Sequence, residues 1–232
     1  MIRMRSCGLF LLAATLLVAA DNTAWKTKPV DQWNDQDAKQ VLSDSPWVGR
    51  ATLQPIRDRS PGERRDSGDW DAGAGPGVGL EGTGLLGPRR MAEALARAHN
   101  IPSPGTVQVR WESAMPVRAA ESKLGETPAS SLYTGWYAIV LYDVPLPEKG
   151  WGARKLKGVA YLRRENKPDF KPSRVEIRRH EDGTATVVYL FPRHEEITRR
   201  EPSVIFSAQL DRLFVSEVFY PGTMQIAGQL EL

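Results

Sequence analysis

The chain has 232 residues, 41% of them hydrophobic and 25% charged, with a single cysteine and a formal charge of +3. Arg3 and Arg5 supply two of those charges, so from residue 21 onward the balance is +3 − 2 = +1. That near-neutrality removes the basic excess on which nucleic-acid binding depends, and excludes that class of partner.

The first residues read MIRMRSCGLFLLAATLLVAADNT. Arg3 and Arg5 form a positive leader, Gly8 to Val18 an apolar run, and Val18-Ala19-Ala20 a small-residue cleavage site before Asp21. Residues 1–20 are therefore expected to be a signal peptide, and the protein to be exported, periplasmic or extracellular. The apolar run is shorter than the roughly 20 residues that span a bilayer, so no stable membrane anchor is expected. Cys7 precedes the run and leaves with it. The mature chain then has no disulfide, no thiol nucleophile and no thiolate metal site, and must rest on its hydrophobic core.

Residues 21–56 read as a short N-terminal helical segment. Asn34 caps a helix whose first turn carries Asp35 and Asp37, suited to the positive end of the dipole. Ala38, Val41 and Leu42 form its apolar stripe, Ser45-Pro46 stops it, and Trp47 is expected to dock it. From Arg57 to Pro88 the composition turns to Gly, Pro, Asp and Arg with few core residues, which predicts a flexible linker. Residues 89–232 then read as one α+β domain dominated by antiparallel strands.

Within that domain, residues 89–99 favour a helix, and Val107, Val109 and Trp111 alternate with polar residues as a half-buried strand. Pro116 opens a helix that Gly125 stops. Residues 136–142, WYAIVLY, are apolar at every position, so both faces must be covered and the strand must be central. Strands follow at 158–162 and from Val175. Asp182-Gly183 predicts a two-residue hairpin turn that sets Val175 opposite Leu190 and Ile177 opposite Val188. Strands at 204–210 and 213–220 and a final one from Met224 to Leu232 complete the pattern. The fold class is thus α+β: mainly antiparallel β-sheet or sandwich in the C-terminal half, with short helices and a Gly-rich linker before it.

The segments Asp37 to Trp47, Val109-Arg-Trp-Glu-Ser-Ala-Met-Pro116, Leu190-Phe-Pro-Arg193 and Gln229-Leu-Glu-Leu232 resemble an uncharacterised family of exported bacterial proteins. The resemblance implies export and one shared domain, and it brings no assigned activity.

Several motifs are discarded on context. Gly77-Val-Gly79-Leu-Glu-Gly82 fits the dinucleotide pattern, but no strand precedes it and no helix follows, so nucleotide binding is rejected and no cofactor is assigned. His180 and His194 each precede acids, yet the hairpin register holds them nine positions apart, and no metal site is assigned. Ser113 sits at a strand-to-helix junction, where capping the helix is the ordinary role of a serine. No catalytic residue is named. The loop from Glu148 to Lys157 sets Trp151 between glycines beside Arg154, Lys155 and Lys157; if exposed, these four residues form a binding site for a sugar ring or an anionic polymer. The expectation is a non-catalytic envelope module that binds a polysaccharide or a partner protein. The alternative is an exported hydrolase with a site near Ser113 or His194.

Overall fold

A computed structural model describes residues 23–56, 105–130, 134–147, 150–194 and 196–232. The signal peptide expected at 1–20, the linker expected at 57–88 and the helix expected at 89–99 lie outside the described residues.

Helix α1 (Ala24–Thr27) leads through a 3-10 turn to α2 (Asp35–Ser43). Asn34 caps α2 as its sequence predicts: its Oδ1 accepts the Asp37 N–H at 2.8 Å, and the Asp37 carboxylate accepts the Asn34 N–H at 3.0 Å. This reciprocal box satisfies two of the donors that a helix start leaves open. Ala38, Val41 and Leu42 are buried, and Trp47 is fully buried behind them.

The stretch after Trp47 is extended, where the sequence suggested only a helical segment. Strand β1 (Val48–Thr52) forms one edge of a five-stranded antiparallel sheet, and β2 (Gln54–Pro55) continues the same line as one edge of a four-stranded sheet. One run of chain therefore joins the two sheets. The five-stranded sheet has the order β1, β3 (Thr106–Trp111), β4 (Trp136–Pro145), β7 (Thr184–Pro192), β6 (Arg174–Arg179). The four-stranded sheet has the order β2, β9 (Leu213–Phe219), β8 (Val204–Leu210), β5 (Ala160–Arg164). Strands β3 and β4 pair antiparallel across helix α3 (Met115–Leu124), so no parallel crossover is made. The fold is α+β and rich in antiparallel strands toward its C-terminal half.

The two sheets face each other across one core. Trp111 meets Phe219 edge-on at 5.2 Å between ring centroids, and Phe206 lies against Tyr189 at 5.2 Å and Phe191 at 6.3 Å. Strand β4 is the centre of its sheet, and its unbroken apolar run is explained. Tyr137, Ile139 and Leu141 enter the shared core, while Ala138 and Val140 join Ala129, Val188 and Leu190 in a second cluster on the outer face. Between Leu141 and Val144 the strand bulges, with Asp143 at φ +54°. The extra residue leaves Tyr142 outward and returns Val144 to the core.

The β6–β7 hairpin departs from its expected register. Val175 lies opposite Tyr189 and Ile177 opposite Val187, one position away from the sequence-based pairing. The loop is Glu181-Asp182-Gly183, three residues, closed by the His180 N–H to the Thr184 carbonyl at 2.9 Å. Only Gly183, at φ +83°, is left-handed, whereas a two-residue turn of the expected type needs two such residues. The Asp182 carboxylate holds the three-residue loop by accepting the Thr184 N–H at 2.9 Å and its hydroxyl at 2.7 Å. The two-residue turn occurs instead at Ala227-Gly228, φ +49° and +78°. It breaks the expected final strand into the short pair β10 (Gln225–Ile226) and β11 (Gln229–Leu230).

Candidate functional site

The loop expected to display Trp151 does not do so. Residues Ala153–Gly158 form helix α4, which packs against β6 and β8. Trp151 is 6% exposed and belongs to the shared core. Its indole N–H donates to Asp211 Oδ1 at 2.9 Å, and the Lys155 ammonium sits over its ring at 3.8 Å. Asp211 holds φ +55° in the β8–β9 turn, which brings its carboxylate to the indole. The glycines at 150 and 152 let the chain fold back, so the ring serves as an anchor for α4. Arg154, Lys155 and Lys157 remain exposed.

Ser113 does not cap α3; the cap position belongs to Ala114, whose methyl group cannot accept a hydrogen bond. The Ser113 hydroxyl, 2% exposed, accepts the Ala138 N–H at 3.1 Å and prolongs the β3–β4 pairing by one rung. His194 lies beyond the far end of β7 and packs edge-on against Phe170 at 5.5 Å. His180 follows β6, opposite Thr184 at the start of β7, with Nε2 2.8 Å from Thr186 Oγ1. The two histidines lie beside opposite ends of β7. Among the described residues no three His, Cys, Asp or Glu converge as a metal-ion cluster, and no helix is long and apolar enough to cross a membrane.

An open cleft of about 560 Å³ lies where β4 begins and β7 ends, lined by Tyr137, Arg193, His194, Glu196, Ile197, Leu230 and Leu232. Arg193 is fixed there: its guanidinium stacks on Tyr137 at 4.7 Å, donates to the Trp136 carbonyl at 3.0 Å and bonds the Leu232 carbonyl. Burial pulls its pKa below the ordinary arginine value.

The densest polar chemistry lies elsewhere, at a place the alternation of β3 had marked as solvent-facing. Arg110 and Glu112 point out of the sheet beneath α3 and the segment that follows it. Glu112 is 0% exposed, Glu121 1% and Arg110 8%. Both Glu112 oxygens accept the Tyr142 hydroxyl, at 2.9 and 2.8 Å, and Oε1 also accepts the Ala129 N–H at 3.3 Å. Arg110 Nη1 reaches Glu121 at 3.2 Å, and its guanidinium lies over the Tyr142 ring at 4.5 Å. Burial, then the hydrogen bond and negative charge of Glu112, push the Glu121 pKa up to about 9. Burial and Glu112 likewise push the Tyr142 phenol well above its ordinary value. From the other side, Arg178 Nη2 donates to the Pro128 and Ala129 carbonyls at 3.4 Å, so Glu112 and Arg178 together pin this segment to the sheet. The one sequence signal was an acid, Glu112, next to Trp111 in a strand about to enter a helix.

The outer face of the four-stranded sheet is different in kind. Ile56, Val218 and Tyr220 are the exposed large apolar side chains of the described residues: Val218 on the outward line of β9, Tyr220 just past its end, and Ile56 just past β2, beside Arg212 at the other end of β9. Val218 pairs with Ile205, and Phe214 pairs with Gln54 and Gln209. Tyr161 on β5 lies under Arg163 at 5.0 Å and Lys171 at 5.2 Å. No family model matches this chain, and no curated protein or solved structure matches it either.

Proposed function

We propose that the chain is an exported, non-catalytic binding module of a bacterial-type cell envelope, and that it holds a partner protein on the outer face of its four-stranded sheet. The observation carrying this reading is exposed Val218 beside half-buried Ile205, with exposed Tyr220 just beyond, at one end of β9 on that face; Phe214 and exposed Ile56 add apolar surface toward its other end. Contiguous exposed apolar side chains mark interaction surfaces, whereas isolated ones are ordinary. Ile56, Ile205 and Val218 give the face an aliphatic component, which suits apolar protein side chains. Export rests on residues 1–20 and on the resemblance to exported bacterial proteins.

Photocrosslinkers at positions 56, 218 and 220, expressed in a bacterial host that exports the protein, test the surface. The expected result is one adduct of common mass from all three positions and none from position 176 on β6. Binding to insoluble envelope polysaccharide, lost on Tyr161→Ala, would replace the protein partner by a polymer. The mature protein should begin at Asp21 by intact mass, and a chain beginning at Met1 would remove the export reading.

A hydrolase is the second reading, and the cleft that gathers His194, Glu196 and Arg193 favours it. Turnover of generic ester substrates, abolished by His194→Ala, would establish it in place of the binding reading.

A further inference from the structure

We infer that Glu112 and Glu121 share a single proton, and that this proton fastens helix α3 to the five-stranded sheet with a grip that weakens as pH rises.

The inference begins with a count of buried charge. Glu112, just past β3, and Glu121 on α3 are both out of reach of water, and the buried cation of the cluster is Arg110, bonded to Glu121. Two ionised carboxylates against one guanidinium would leave a net negative charge in a medium that solvates it poorly. One proton on the pair brings the cluster to neutrality.

Hydrogen bonding says where that proton sits. Glu112 is an acceptor on both oxygens, taking the Tyr142 hydroxyl and the Ala129 N–H. It is satisfied as a carboxylate. Glu121 Oε1 takes Arg110, but Glu121 Oε2 is buried and meets no donor. An oxygen so placed costs free energy unless it carries a hydrogen itself. Protonated, it donates to the neighbouring Glu112, and the pair joins α3 to β3 directly. Two like charges in one small site cannot both ionise cheaply, which is the general reason such pairs hold a proton.

Other charged groups around the pair leave this balance in place. Glu126, just after α3, reaches Arg110 at 3.5 Å and is 44% exposed, so it disfavours ionisation of Glu121 only weakly. Tyr142 of β4 stays neutral. Arg178 of β6 is engaged with the Pro128 and Ala129 carbonyls. On the far side of α3, α2 brings the Lys28–Asp37 pair at 2.8 Å, and Arg50 of β1 is exposed.

The direction of the pH effect follows from linkage. A carboxyl that keeps its proton in the folded state but loses it in the unfolded state stabilises fully below the unfolded value. It loses that contribution as pH rises toward the folded value. Between about pH 5 and 9 the folding equilibrium should therefore fall by up to tenfold per unit from this group alone.

Urea unfolding of the full chain across that range, compared with Glu121→Gln, tests it. A glutamine amide donates to Glu112 as the protonated acid does, without titrating. The variant is expected to match the wild type near pH 5, exceed it by at least tenfold in folding equilibrium at pH 9, and show a flatter profile throughout. Parallel profiles would overturn the inference. Infrared spectroscopy gives an answer independent of whether the variant folds. The wild type at pH 7 should show a protonated-carboxyl band resistant to deuterium exchange, and its absence would equally overturn the shared proton.

Discussion

Gly49 of β1 lies under the side chain of Glu217 of β9: a Cβ on Gly49 would stand 2.2 Å from Glu217 Cδ and 2.5 Å from its Cγ. Glu217 occupies an inward position of β9, in line with Leu213, Val215 and Phe219, and only the missing Cβ leaves room for it there. This close approach sits at the join where one run of chain passes from the first sheet to the second. Burial raises the Glu217 pKa above the usual carboxylate value.

Gly49→Ala should therefore push the Glu217 carboxylate into water. Because the obstructing atoms are the end of a flexible side chain, the cost should be about 1 kcal/mol, the low end of overpacking effects. NMR titration should show the Glu217 pKa falling toward its ordinary value in Gly49→Ala. Urea unfolding of Gly49→Ala with Glu217→Ala should show the cost removed; additive losses would mean the two residues do not compete for one space.

Tyr142→Phe removes the hydroxyl that serves both oxygens of Glu112. A buried carboxylate that loses a donor costs about 1–3 kcal/mol, and no cavity is created to confuse the reading. Thermal unfolding at pH 6 should show that loss, accompanied by faster amide exchange at Ala129, whose N–H shares the same acceptor.

The two tight turns respond in opposite directions. Gly183→Val places a β-branched residue at φ +83° and should cost about 1–3 kcal/mol, more than Thr184→Val. Ala227→Asn should instead stabilise by about 0.5–1 kcal/mol, because Ala227 already sits at φ +49° and Asn-Gly is the pair that such a two-residue turn prefers. Melting temperatures of the three variants, ordered as stated, check both assignments. An Ala227→Asn variant no more stable than the parent would contradict the left-handed assignment there.

Trp151→Ala should behave as a core truncation. A buried indole removed from the shared core costs about 3–5 kcal/mol. Alanine at Arg154, exposed on α4, should leave stability almost unchanged. Urea midpoints separate the outcomes: a stable, soluble Trp151→Ala protein would return the ring to the surface and reopen the binding role first expected of it.

Much of the local structure was legible along the chain because its causes are local. Asn34 with Asp37, and Gly125 after Leu124, encode the start of α2 and the end of α3 within a few residues. The unbroken apolar run of β4 requires cover on both faces whatever supplies it. The α+β class, rich in antiparallel strands, follows from the succession of such strands. What tertiary structure alone decided depends on partners distant in sequence. The β6–β7 register turned on one side chain, Asp182, bonding Thr184 to favour three loop residues over two, and that single step moved Val188 and Leu190 to the other face. Trp151 is buried because Asp211, sixty positions away, accepts its N–H. Glu112 reads as a solvent-facing acid in an alternating strand. Only the packing of α3 and the Ala129 segment onto that face turns it into a buried carboxylate with Glu121 and Tyr142. Short-range hydrogen bonds and hydrophobic periodicity are written in neighbouring residues; burial, and with it every shifted pKa in this cluster, is a property of what the folded chain lays on top.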